Sequence, residues 1–341
     1  MIFAVTERGS FKRCARQALL TSKNGQHLEP LSAPLHFAVG SIVHRAQQLW
    51  LLHPETPLTE HALTASLEVQ ARVTENYRRA VGCAPSQTEM QETLTSVDMA
   101  VSMCENYQIK WGQPLPDEYT LIKPEQKVLI PVEATRHTCR TCDGTGRELL
   151  PFAAMQDKLE WATCPECDGT GEEVHYLSGT LDGFILHQSG RIDVLERKTY
   201  KSRPKEEGLK TNDQFLAYVW LVTQLGITDQ VPCLAYDGMW RRDKVPRGRT
   251  FDDLFLRVLV TRNRHELEEF ERFLPIDLNN MADVYRHTEK ATTHRRWQGC
   301  WDCSVEKLCT AMSRGEDTAS LIAHSYTTRT DDLDEDEAED E

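Results

Sequence analysis

The sequence contains no run of about 18 or more apolar residues, so no helix able to span a bilayer is expected. Met1 to Ser10 also lacks the apolar stretch of a secretory signal, which makes a cytosolic protein the expectation. No Gly-x4-Gly-Lys-Ser/Thr phosphate loop occurs, so any ATP-driven motor that works with this chain must be another protein. No long internal repeat is present. Positive charge is scarce too: the formal net charge is -14 at pH 7, an unpromising balance for a chain that handles a polyanion. The deficit is local, however. Asp331 to Glu341 holds nine acidic residues and no basic one, and without them the charge would be -5. A block of like charge cannot collapse, so this tail is expected to be a solvated extension; docking a partner, or mimicking DNA over a basic groove, are its alternative uses.

Hydrophobic residues make up 40% of the 341 positions and aromatics 8%, ordinary values that allow one large domain or two modest ones with a substantial core. Eleven cysteines in a cytosolic chain argue for metal binding over a disulfide scaffold, because thiols stay reduced there. Their spacing agrees. Four fall as Cys139-x2-Cys142 and Cys164-x2-Cys167, three as Cys300-x2-Cys303-x5-Cys309, and Cys14 stands alone. Cys83, Cys104 and Cys233 have no partner spacing and read as ordinary buried side chains.

Apolar residues at three- and four-residue spacing predict helix through residues 36–112. Lys127 to Glu133 is a short β-type run leading into the first cysteine pair. After the second pair, Tyr176 to Leu186, a Gln188-Ser189-Gly190 turn and Arg191 to Thr199 predict a hairpin. A helix from about Asn212 to Leu225 follows, capped by Thr211 or Asn212 and stopped by Gly226. Val231 to Tyr236 and Phe255 to Val260 are further strands, separated by a basic loop, and a helix over about His265 to Phe273 precedes the last cysteines. Together these predict a mixed α/β core with helices on its faces.

The hairpin carries the chemistry. Residues two apart on a strand share a face, so Glu196 and Lys198 point the same way and the hairpin brings Asp182 beside them. Two carboxylates and an ammonium then converge, a donor set suited to Mg²⁺ or Mn²⁺, which can activate water and neutralise a phosphate. Lys198 would orient the water or offset phosphate charge. The bland alternative is a charged cross-strand group on a solvated sheet face.

Gly179-Thr-Leu-Asp182-Gly, Glu196-Arg-Lys198-Thr and Gln214-x3-Tyr218, in that order, resemble the RecB-like branch of the PD-(D/E)XK nucleases. That branch also places a histidine on an upstream helix in a Gly-x3-His pattern, met here by Gly40-Ser-Ile-Val-His44. The resemblance runs from Cys14 to Cys309. It implies a restriction-endonuclease-like α/β core in which His44, Asp182 and Glu196 hold Mg²⁺ or Mn²⁺ while Gln214 and Tyr218 line the substrate groove. The branch often has Asp where this chain has Glu196; Glu also ligates Mg²⁺, so the departure bears on metal preference.

Cys300, Cys303 and Cys309 with the distant Cys14 are similar to the set that holds a [4Fe-4S] cluster in AddB-type and CRISPR-adaptation nucleases of that branch, although Ala15 replaces the usual proline after the first cysteine. A structural zinc site of four cysteines is the alternative. Cys139-Arg-Thr-Cys142-Asp-Gly-Thr-Gly and Cys164-Pro-Glu-Cys167-Asp-Gly-Thr-Gly are two copies of one knuckle, resembling the DnaJ zinc repeats, and supply four thiolates for one Zn²⁺. The module is expected beside the active-site edge, either holding a strand pair or contacting DNA.

The resulting expectation is four segments: an N-terminal iron-sulfur and helical part (1–135), a zinc-knuckle insertion (136–175), the nuclease core with the C-terminal cysteines (176–312) and an acidic disordered tail (313–341). The resemblance implies a DNA exonuclease acting on single strands or ends, in recombination, repair or phage processing, in the cytoplasm of a bacterium or an infected host. Lys201, Arg203, Lys205 and the loop Arg241, Arg242, Lys244, Arg247 and Arg249 are candidate phosphate contacts. The rival reading is a non-catalytic or partner-activated DNA-binding subunit of a helicase or recombination complex.

Overall fold

Ile2–Ala4 forms a strand (β1) that runs straight into two short helices, Val5–Arg13 (α1) and Ala15–Thr21 (α2), parted by the extended backbone of Cys14. The computed structural model describes residues 1–31, 35–149, 161–293, 300 and 303–329. After the short strand Leu28–Pro30 (β2), the apolar spacing over residues 36–112 folds as three long helices, Leu35–Leu52 (α3), Leu58–Val81 (α4) and Gln87–Trp111 (α5). Gly82, at φ 74°, ends α4 in the left-handed conformation that costs glycine least. Ile42, Val43, Trp50, Ala62, Ala100 and Tyr107 close the apolar faces of the three helices on one another.

The strands follow: Tyr119–Thr138 (β3), Arg147–Leu149 (β4), Trp161–Thr163 (β5), Glu172–His187 (β6) and Ile192–Tyr200 (β7). Then come Glu206–Lys210 (α6), Asp213–Gln224 (α7), Leu234–Trp240 (β8), Phe255–Val260 (β9) and Arg264–Arg286 (α8). Glu306–Arg314 (α9), Thr318–Ser325 (α10) and Tyr326–Thr328 (β10) complete the described chain. Six strands make one mixed sheet. β3 lies antiparallel along β6; the other side of β6 takes β1 in parallel at Tyr176 to Ser178 and β7 antiparallel at Gly183 to Leu186. β8 runs parallel to β7, and β9 antiparallel to β8. The expected mixed sheet with helices on its faces is the observed architecture.

Strand alternation sorts the two helical layers. Val194, Tyr200, Leu234, Tyr236 and Leu256 turn toward α7 and α8, whereas Met239 and Phe255 turn toward α3, α4 and α5. Buried arginines fasten the helices. Arg8 of α1 donates to Asp277 on α8 at 2.8 Å and pairs with Asp213 on α7, and it lies 4.8 Å over the Phe270 ring. Arg262 donates to the carbonyl oxygens of Leu209, Lys210 and Asn212, satisfying acceptors that the short helix α6 leaves open.

Two elements exceed their sequence signal. β3 is much longer than the run Lys127 to Glu133, because it is a mostly exposed edge strand whose ends carry no apolar alternation. α8 continues past Phe273 to Arg286 with Pro275 inside it. An interior proline costs about 3 kcal/mol. Leu278, Met281 and Tyr285, all buried beyond it, each contribute roughly 1.5–3 kcal/mol, so burial wins. Residues 318–328, which the composition assigns to the start of the acidic tail, form α10 and β10, and β10 pairs with β2. Residues 330–341 lie outside the described part. Among the described residues no helix is long and apolar enough to cross a membrane.

Candidate functional site

The β6–β7 ladder is regular from Leu186↔Ile192 to Gly183↔Leu195, and continuing it one step would set Asp182 opposite Glu196. There the carboxylate of Asp182 intervenes: its Oδ2 accepts the backbone N–H of Arg197 at 2.5 Å, and its Oδ1 meets His44 Nε2 at 2.7 Å. His44 arrives from α3. Glu196, one residue before Arg197, is 1% exposed, and Lys198 Nζ lies 2.7 Å from its Oε1. Lys198 thus answers Oε1, while among the described residues no donor reaches Oε2.

The charges explain one another. Burial, then the charge of Asp182, pushes Glu196 up to about 7. Burial also pushes Asp182 upward, but the charge and hydrogen bond of His44, helped by Lys198, overcome it and hold Asp182 below the usual carboxylate range. The Asp182 charge raises His44 against its own desolvation. Burial alone would lower Lys198, yet Glu196 and Asp182 keep it raised. Two carboxylates thus share one buried patch, and the Glu196 Oε2, which no donor reaches among the described residues, fits a hard cation.

On α7, the Asn212 side chain accepts from the N–H groups of Gln214 and Phe215, realising the expected cap. Gln214 Nε2 donates to Tyr218 Oη at 2.8 Å, one turn on. The buried Tyr218 hydroxyl is raised by desolvation and then by the charge of Glu196, which places it near the carboxylates. Gly179 explains the close seat of α7 on the sheet: a Cβ there would stand 2.7 Å from Leu221 Cδ1 and 3.1 Å from Tyr218 Cε1. Beyond Lys198, the ends of β7 and β8 are tied by Trp240 Nε1 donating to Lys201 O and by Arg241 N donating to Tyr200 O. The basic loop starts there. Arg203 and Arg249 face Asp253 at 3.4 and 3.9 Å, while Lys201, Lys205, Arg242, Lys244 and Arg247 are exposed.

Among the described residues, one set brings three or more metal-ligating atoms within 4.8 Å of one another: Cys139, Cys142, Cys164 and Cys167. His44, Asp182 and Glu196 are arranged more openly. The two knuckles are related by an internal two-fold. Gly146 N and Gly171 N each donate at 3.3 Å to Cys142 Sγ and Cys167 Sγ, and Cys139 N and Cys164 N bond across to Gly171 O and Gly146 O. Gly146 and Gly171 sit at φ 70° and 76°, and a Cβ on either would collide with the opposite backbone, so glycine is required in both copies. The module caps the far end of the β3–β6 pair, where Thr138 faces Glu172. Glu172 is ten residues from Asp182, about 30 Å of extended strand, so the knuckle does not flank the site as expected. Glu173 locks its base, bonding Arg286 of α8 and accepting Arg140 N at 3.3 Å.

Cys14, Cys300, Cys303 and Cys309 come from two ends of the chain. Cys14 Sγ lies 4.0 Å from Thr292 O, Cys303 N donates to Cys300 O at 3.1 Å, and Cys309 sits on α9. Burial raises the Cys303 thiol and the charges of Arg13, Cys14 and Cys300 act on it, but the sulfurs of the described cysteines here are not gathered within 4.8 Å of one another. Residues 294–299 and 301–302 between them lie outside the described part.

Sequence reasoning missed Arg197. It is 2% exposed, and its side chain donates to Gln47 O and Pro114 O. The available signal was position: Arg197 alternates with Glu196 and Lys198 and therefore faces the α3–α5 layer, where an apolar residue is the ordinary choice. The Glu173–Arg286 lock had no signal in spacing. The family model for the PD-(D/E)XK nuclease superfamily matches residues 3–310 of the chain. No curated protein matches it significantly.

Proposed function

Because the chain belongs to the PD-(D/E)XK nuclease superfamily, whose members are metal-dependent nucleases, we propose that Asp182, Glu196 and Lys198 are its catalytic core, with His44 as a further metal ligand. The observation that carries this reading is Glu196: a buried carboxylate whose Oε2 has no donor among the described residues, with Lys198 on its Oε1 and the Asp182–His44 pair beside it. His44, Asp182 and Glu196 would hold Mg²⁺ or Mn²⁺, which supplies a Lewis acid for water and for the scissile phosphate. Lys198, half-exposed at the mouth of the patch, holds a proton and a positive charge where the water and the phosphate meet. Asp182 keeps His44 oriented through the 2.7 Å contact, and Tyr218, fixed by Gln214, walls the carboxylates on the α7 side. Superfamily members generally use Mg²⁺ or Mn²⁺ and act on nucleic acid.

Within the superfamily the Gly40-x3-His44 and Gln214-x3-Tyr218 patterns support the RecB-like branch, and with it an exonuclease on single strands or ends of DNA in recombination, repair or phage processing. Cys14, Cys300 and Cys303, with Cys309, support a [4Fe-4S] cluster, and the compact quartet of Cys139, Cys142, Cys164 and Cys167 supports Zn²⁺. The basic loop after β8 would take backbone phosphates, a helicase or recombination protein would be the partner, and the acidic tail would dock it. The test is digestion of end-labelled single- and double-stranded DNA, with Mg²⁺ or Mn²⁺, by anaerobically purified protein and its Asp182→Ala and Lys198→Ala variants. Metal-dependent cleavage abolished in both variants is expected, and the ladder reports polarity. An intact protein that cuts nothing, or variants that cut as well, would replace this reading with that of a DNA-binding or partner-activated subunit.

A further inference from the structure

Arg197 occupies the middle of Glu196-Arg197-Lys198, and on β7 its side chain points away from the carboxylates toward α3. Burying a guanidinium is expensive unless its donors are used and its charge is answered. Among the described residues Arg197 makes no ion pair. It donates instead to two main-chain oxygens, Gln47 O on α3 at 2.8 Å and Pro114 O in the connection from α5 to β3 at 3.1 Å. Its strand neighbour Asp237 gives one carboxylate oxygen, Oδ2, to Arg257 and Tyr107. The same residue's backbone N–H donates to Asp182 Oδ2 at 2.5 Å. One residue therefore grips Asp182 with its main chain and, with its side chain, the helix that carries His44.

Gln47 lies three residues after His44, on the same side of α3 and less than one turn away. The Gln47 O contact thus fixes the height and rotation of the helix next to the point where His44 Nε2 reaches Asp182 Oδ1. An apolar residue at position 197 could fill the space but could not set that register. We propose that Arg197 is a positioning residue that holds His44 in register with Asp182, and so builds the metal-binding geometry from behind the sheet. The proposal rests on the nuclease reading of the site, in which His44 and Asp182 hold the cation. Displacements of about 1 Å at such a site can cost 100-fold in rate.

The test uses the full chain, freed of Mg²⁺ and Mn²⁺ by gel filtration, with Mn²⁺ binding read from the electron paramagnetic resonance of the free ion. Arg197→Leu is expected to weaken Mn²⁺ binding by roughly 10–100-fold, the range for groups that orient metal ligands. It should lower kcat with little change in KM for DNA, because Arg197 faces away from the patch. Arg197→Lys, which keeps the charge but replaces the planar two-nitrogen fork with a single ammonium nitrogen, should recover part of the loss. In a His44→Ala background Arg197→Leu should add little further loss, since the two act as one unit. A folded Arg197→Leu protein with unchanged Mn²⁺ affinity, or the same fold-loss with and without His44, overturns the proposal. Should Arg197→Leu not fold, Arg197→Lys carries the same comparison and is decided by the same two outcomes. A wild type that neither binds Mn²⁺ nor cuts DNA removes the nuclease reading and this proposal together; binding and cleavage by the wild type with an unaffected variant removes the proposal alone.

Discussion

His175 shows what a single buried group does to this molecule. It is 1% exposed, edge-on to Phe3 at 5.4 Å and to His137 at 6.0 Å between ring centres, and among the described residues no partner reaches its Nδ1. Burial, aided by the charges of the Met1 amine and Arg286, lowers it from 6.5 to about 4. The unfolded chain therefore binds a proton below pH 6.5 that the folded chain refuses until about pH 4. Stability is retained above that window and falls as pH drops through the whole of it, by roughly 3 kcal/mol. Urea unfolding at pH 7 and pH 5 should show part of this loss in the wild type and a smaller one in His175→Leu; equal losses would contradict it. The catalytic candidates were legible at this scale because Asp182, Glu196 and Lys198 obey a two-residue period on a hairpin. Arg197 was not, because a charged residue between two others reads as one more solvated side chain until the strand is seen to be covered on both faces.

Helix α7 is seated by the absence of a side chain at Gly179 on β6, where an added Cβ would press on Leu221 and the Tyr218 ring. Gly179→Ala should therefore cost about 1–3 kcal/mol through overpacking. Gly9 is the contrast: it is helical in α1 with nothing within 4 Å of the position a methyl would take, and Gly9→Ala should gain about 0.5–1 kcal/mol from helix propensity. Thermal melts of the two variants should move in opposite directions; a downward shift in both would remove the packing explanation. Elements with strong periodicity, such as α7 and β9, were legible nearly to the residue. The far half of α8 was hidden by Pro275, and β1, three residues long, was hidden because its identity comes from the strand it joins.

At the scale of the whole chain the knuckle is a separate stability problem. Among its described residues, the buried cluster of the knuckle consists of the four cysteines. Chelation of the Zn²⁺ proposed for this quartet should therefore expose four thiols to a colouring disulfide reagent and open the segment between Thr138 and Glu172 to protease, while the main melting transition persists. Loss of the whole fold on chelation, or thiols that stay protected, would count against a metal-held knuckle on an independent sheet. The sheet itself has a different vulnerability, set by β1. That strand lies against β6 so that Phe3 O and the Ser178 hydroxyl, 175 positions apart, come within 3.5 Å. A ribosome adding about 5–20 residues per second needs roughly 10–35 s to make the strand that β1 must join. For that interval β1 waits with its backbone unpaired, and the nascent chain has its greatest need of a chaperone before the β6–β7 hairpin has even left the ribosome.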